Sequence, residues 1–172
     1  AQVTKDFYAT VQNKLHWAIT HHTAAELISE RVSAKKSNMG LTNWKNQKKG
    51  GKIYKYDISV AKNYLTKNEL SELNRVVSMY LDFAENMAKR RKGLKMKDWV
   101  ERLDLFLDFN EYEILKDAGK ISAKVAKKLA EREYEKFRVI QDRNFKSDFD
   151  KVAGIISTTR GLPNESGISD LE

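Results

Sequence analysis

One proline, Pro163, stands in the whole 172-residue chain, together with only eight glycines. Proline fixes its own φ and removes a backbone donor, so it interrupts helices and sheets alike; everything before residue 163 is free of that interruption. So few chain-breaking residues leave little room for the many turns of a β architecture and favour long helices. The expected fold is therefore all-α, a compact multi-helix bundle with one long basic loop. Hydrophobic residues make up 41% of the chain, enough to build a core and too many for a disordered segment. No apolar run approaches the ~18 residues of a membrane span and no signal-peptide pattern opens the chain, so no membrane contact and a cytoplasmic location are expected. The absence of cysteine excludes a disulfide scaffold, a zinc-thiolate site and a cysteine nucleophile. A chain opening on Ala1 reads as a fragment or a processed form.

Helical periodicity divides the chain into elements. A first helix is expected over about Thr4–Ile19. Thr23 with Glu26 is a capping-box pattern that starts a second, and Thr66 with Glu69 starts a long third. The third carries Leu70, Leu73, Val76, Val77, Tyr80, Leu81, Ala84 and Met87 as one stripe. Asp57 is expected to cap a short helix through Leu65. Helices are further expected over Asp98–Phe109 and Asn110–Ala118, the latter stopped by Gly119. Ser122 caps a last long helix whose inward side is read as Ala126, Leu129, Ala130, Tyr134, Phe137 and Ile140, and a short helix follows around Phe149–Ile156. The two long stripes are expected to bury mainly against each other. One domain spans residues 1–157, and 158–172 form a flexible tail.

Between Lys35 and Lys55 the periodicity collapses. The segment holds seven lysines, three glycines and no acid, and a second run, Lys89–Lys97, adds six cations, again without an acid. The net charge of the chain is +8. Long loops in compact domains are often functional, and clustered cations gain affinity for nucleic acid by releasing counterions. The expected contacts with DNA or RNA are Lys45, Lys48, Lys49, Lys52, Lys89, Arg90 and Arg91, with Trp44 and also Tyr54 and Tyr56 as stacking groups for unpaired bases. The loop has no arginine, the commonest base-reading residue, so contact without base selection is expected.

A second candidate is a polar pocket of Asn38, Lys62 and Asn63 facing a phosphate or carboxylate. The competing reading makes Asn38 a loop-turn residue and gives Asn63 and Asn74 to backbone bonding. His16, His21 and His22 lack metal-ligand spacing, so neither metal nor cofactor is expected. Asp104 and Asp108 share a helix face and read as a solvated stripe. No nucleophile elbow, phosphate-binding loop or dinucleotide fingerprint is present, and the catalytic residues, if any, are unassigned.

The stretches KDFYATVQNKLHWAIT, TAAELISERV, NMGLTNWK, VAKNYL, ELNRVVSMYLDFAE, MKDWVERLDLFL and GKISAKVAKKLAEREYEKF cover most of Lys5–Asp150 in order. In these the chain resembles the C-terminal region of the virulence protein RhuM family. The resemblance implies a bacterial protein of phage or genomic-island type, whose full-length forms carry an N-terminal segment similar to a small DNA-binding domain that is missing here. It implies no established activity. Two positions depart from the family pattern: His21-His22 replaces a glycine-containing turn, and Ser37 stands where proline is common. Taken together, these readings favour a non-catalytic interaction module of a DNA-associated protein. The alternatives are an enzyme acting on nucleic acid or nucleotide through Lys62, Asn63 and Asn38, and an oligomerisation domain that pairs with itself or with another protein.

Overall fold

The computed structural model describes residues 2–90, 93–146 and 148–159. Among them are six α-helices and no strand: α1 Gln2–Thr20, α2 Ala24–Arg31, α3 Lys67–Arg90, α4 Met96–Phe109, α5 Ala123–Asn144 and α6 Asp148–Thr159. The all-α bundle is as the sequence implies. None of these helices is long and apolar enough to cross a membrane. Part of the expected tail is thus helical, and its remainder, 160–172, lies outside the described residues.

The eight-residue helix α2 is central. Its Ala25, Leu27 and Ile28 are buried, and it packs chiefly on α5, where Ala126 and Ala130 leave room for close approach. Thr23 closes both bonds of its capping box, and the same carboxylate that caps it, Glu26, also accepts the Lys120 N–H at 2.6 Å. Burial works against charge on Glu26, yet the N–H groups of Lys120 and Thr23 hold its pKa below the usual carboxylate range. Gly119 lies so near that a Cβ there would stand 2.6 Å from Thr23 Cγ2. One glutamate thus ties the start of α2 to the entry of α5.

α1 bridges the other helices, packing on α3 and α4. Buried Lys14 reaches Asp104 of α4 at 2.8 Å and donates to the Leu115 carbonyl. Asp104 is therefore not part of a solvated acidic stripe: it neutralises a buried ammonium. The turn after α1 places His21 at φ 55, the left-handed conformation that glycine takes most readily, which accounts for the glycine usual there. The second capping box is also formed, and Glu69 within it grips Arg31 of α2 through two bonds of 2.6 and 2.7 Å. That guanidinium lowers the Glu69 pKa to about 2.

Four expectations fail for physical reasons. Residues 110–118 are not helical, because α4 ends in a Schellman motif: Tyr112 N–H reaches Leu107 O, Glu111 N–H reaches Asp108 O, and Glu111 takes φ 63. The residue at that left-handed position is glutamate rather than the usual glycine, so the stop is silent in the sequence. Asp57 caps no helix; it is a buried loop carboxylate, and only a 3-10 turn, Ala61–Tyr64, follows it. Leu81 and Ile140 are 61% and 50% exposed, turned outward although their neighbours Tyr80, Phe83 and Gln141 still engage the core or the strap. Finally, α3 packs on α1 and α5 on α2, so the two long stripes do not bury mainly against each other.

The core therefore reads Leu73, not Leu81, on α3. Leu73→Ala should cost about 2–5 kcal/mol in urea unfolding, while Leu81→Ala should stay within about 0.5 kcal/mol. Equal effects at the two positions would refute this packing.

Candidate nucleic-acid interface

The segment between α2 and α3 is a strap rather than a floating loop. Met39, Leu41, Ile53 and Ile58 are 0, 4, 1 and 1% exposed and belong to the core. Met39 reaches it from a left-handed turn in which Asn38, Met39 and Gly40 all have positive φ. A Cβ on Gly40 would lie 2.2 Å from the Arg31 carbonyl oxygen, so only glycine closes this turn.

A buried non-helical segment must pair its backbone with whatever is near. Here side chains do it. The Asp57 carboxylate, 2% exposed, accepts Lys45 N–H at 3.0 Å and Tyr54 N–H at 2.9 Å, joining the two limbs of the strap. Trp44 Nε1–H donates to Gly51 O at 2.8 Å. The Gln141 amide of α5 both accepts Ile53 N–H and donates to Ile53 O, at 2.8 and 3.0 Å, as a neighbouring strand would. Thr42 hydroxyl bonds the Asn63 and Leu65 carbonyls, fastening the strap to the start of α3.

This framework sorts the lysines. Lys52 pairs with Asp142 at 2.9 Å and Lys55 with Glu131 at 3.5 Å, both acids of α5. Lys45, Lys48 and Lys49 are exposed and have no ion-pair partner among the described residues; Lys45 lies 5.4 Å from the centre of the Tyr56 ring. Beside them Tyr54 and Tyr56, 43 and 51% exposed, stack with centroids 5.6 Å apart and planes 16° from parallel. Trp44 is committed to the strap, half-buried against the core. The stacking groups on offer are the two tyrosines.

The second basic run belongs to another element. Lys89 and Arg90 end α3, about 33 Å from Lys67 at 1.5 Å per residue, and Lys89 pairs with Glu85 at 2.6 Å. Arg91 lies outside the described residues. No hydrogen bond or ion pair among the described residues joins this run to the strap.

The trio of Asn38, Lys62 and Asn63 does not converge. Asn38 is an exposed turn residue, and Asn63 serves backbone bonding, its Nδ2 donating to Asp57 O and its carbonyl accepting Thr42 N–H. Lys62 instead borders a pocket between α1 and α3 with His16 and Asn74, a grouping that nothing in the sequence signalled. His22 Nδ1 donates to Thr20 O, its Nε2 lies 2.8 Å from Glu30, and His21 lies 3.1 Å from Glu113. No group of three metal-ligating side chains occurs among the described residues.

Asp57 is the test of the strap. Asp57→Ala strands two N–H groups, each costing about 1–3 kcal/mol when left unpaired and buried. Asp57→Asn, which keeps an oxygen acceptor, should lose less. Urea unfolding of both should show that order, with earlier proteolytic cleavage in 45–55 for the alanine variant; parity with the wild type would refute the role.

No curated protein and no solved structure matches this sequence. The model of one family matches residues 1–146, ending just before α6 begins. On that match, over most of its length, the chain belongs to the virulence protein RhuM family.

Proposed function

We propose that this domain is a non-catalytic interaction module that holds a polyanionic strand, DNA or RNA, on its strap. The observation that carries the reading is the juxtaposition of three unpaired lysines, Lys45, Lys48 and Lys49, with the stacked, exposed Tyr54–Tyr56 pair. Lysines follow the phosphates and rings take up unpaired bases, a combination suited to single strands. Lys52 contributes less, since Asp142 already neutralises it. The rigidity of the strap supports the reading too, because side chains on a pinned backbone lose less freedom on binding.

A salt titration with labelled single and double strands tests it. Each phosphate neutralised costs about 0.7 log units of affinity per log unit of added salt on a single strand and about 0.9 on a duplex, so three lysines predict a single-strand slope near −2. Lys45→Gln/Lys48→Gln/Lys49→Gln should abolish most of that slope. Tyr54→Ala/Tyr56→Ala should weaken single strands by about 1–3 kcal/mol per stacked base and leave the slope intact. A flat salt response of the wild type, or unchanged binding by the lysine variant, refutes the reading.

Self-association is a second reading with its own observation. Between α3 and α4 lies an open groove of about 630 Å³ walled by Met79, Phe83, Leu105 and Phe106, and beside it Phe109 is 87% exposed. Apolar surface of this kind marks contact sites. Light scattering at tens of micromolar should give twice the chain mass, falling to one with Leu105→Ser/Phe109→Ser. A monomer at every concentration removes this reading.

A further inference from the structure

A separate pocket, of about 370 Å³, opens between α1 and α3 at the 3-10 turn that carries Lys62. Its walls are apolar: Val11 and Leu15 from α1, Leu73 and Val77 from α3. Its polar groups are Tyr8, Gln12, His16, Lys62 and Asn74. The side-chain polar atoms of these five residues have no hydrogen-bond or ion-pair partner among the described residues. His16 is 3% exposed, and its Nδ1 is completely buried with nothing to bond. Protein interiors rarely leave such a nitrogen unpaired, so the ring marks this end of α1 as polar inside an otherwise apolar wall. Burial lowers the His16 pKa to about 4, so the ring is neutral at pH 7. Lys62 is then the one charged group of the lining, and no acid opposes it.

We propose that this pocket binds a small organic anion, its apolar body against Val11, Leu15, Leu73 and Val77 and its carboxylate or phosphate held by Lys62 with the Gln12 and Asn74 amides. The chemistry of the lining selects that class. A single cation without competing carboxylates calls for an anion; the amides can donate to its oxygens or bond a polar edge of its body. Apolar walls with a few convergent polar groups are the usual make-up of a small-molecule site, and the volume lies within the usual range. The site is distinct from the proposed strand-binding edge: its lining joins Lys62 to α1 and α3 and includes none of Lys45, Lys48 and Lys49, so its occupant need not be a nucleic-acid strand.

The probes are benzoate, phenyl phosphate and inorganic phosphate, titrated into the labelled domain and followed by the side-chain amide signals of Gln12 and Asn74 in ¹H–¹⁵N spectra. Saturable shifts at both amides with benzoate or phenyl phosphate are expected, and which probe binds tighter separates a carboxylate from a phosphate head. Lys62→Met keeps the stem and removes the charge; it should weaken binding at least tenfold, whereas Lys48→Met should leave it unchanged. Asn74→Ala, at an exposed helix position, should weaken it severalfold without loss of fold. The proposal is overturned if neither organic probe moves these signals, if inorganic phosphate binds as well as phenyl phosphate, or if Lys48→Met rather than Lys62→Met removes binding. None of those results would touch the strap, whose own test reads salt dependence on a strand.

Discussion

A stretch of more than thirty residues without α-helix, buried against α5, can exist only if its backbone donors and acceptors are met one at a time. That requirement organises much of the molecule. Helices satisfy themselves, but the strap from Val32 to Thr66 depends on Asp57, Asn63, Thr42, Trp44 and Gln141, each reaching a peptide group it does not own. In return the strap inserts Met39, Leu41, Ile53 and Ile58 into the core. It therefore acts as a wall of the domain. Its outer surface is fixed because its inner surface is packed, and this explains how Tyr54 and Tyr56 stay stacked in the open while their neighbour Ile53 is fully enclosed.

The same arrangement settles the electrostatics. The strap's one acid, Asp57, is spent on its own backbone, and α5 supplies Glu131 and Asp142, which pair with Lys55 and Lys52. What stays uncompensated is the exposed group Lys45, Lys48 and Lys49. Repulsion among these cations is tolerable there because water screens it, and they are anchored through a backbone held by Asp57 rather than through their own side chains. The two anchors nearest the exposed edge, Trp44 to Gly51 and Asp57 to Lys45, are hydrogen bonds that salt does not weaken.

Local signals were legible in the sequence. Thr23 with Glu26, Thr66 with Glu69, and Ser122 mark helix starts because a cap involves residues three or four apart, and all three are formed. The family resemblance and the all-α class were legible for similar reasons of pattern and composition. What could not be read depended on distance or on an atypical residue. Glu111 stops α4 in a conformation that a sequence reader assigns to glycine, so a helix was expected beyond it. Asp57 looks like a cap until the strap's second limb is placed beside it. Leu81 and Ile140 sit at the margin of a helical stripe and face outward while Tyr80, Phe83 and Gln141 beside them face in, and periodicity alone does not fix how wide the buried stripe is. Of the site, the lysines and the two tyrosines were legible as composition. The division of lysines by α5, the retirement of Trp44 into the framework, and the meeting of His16 with Lys62 are tertiary facts with no local trace.

The Gln141 amide that completes the strap lies 88 residues beyond the peptide it bonds. A ribosome extending at about 5–20 residues per second emits that partner roughly 4–18 seconds after Ile53 has been made. Throughout that interval the strap is a lysine-rich thread with Ile53 still unpaired by Gln141, and the stacked tyrosine edge awaits its backing. The finished strap and the finished domain thus come into being together, so an incomplete nascent chain carries the same lysines on a backbone that nothing yet pins.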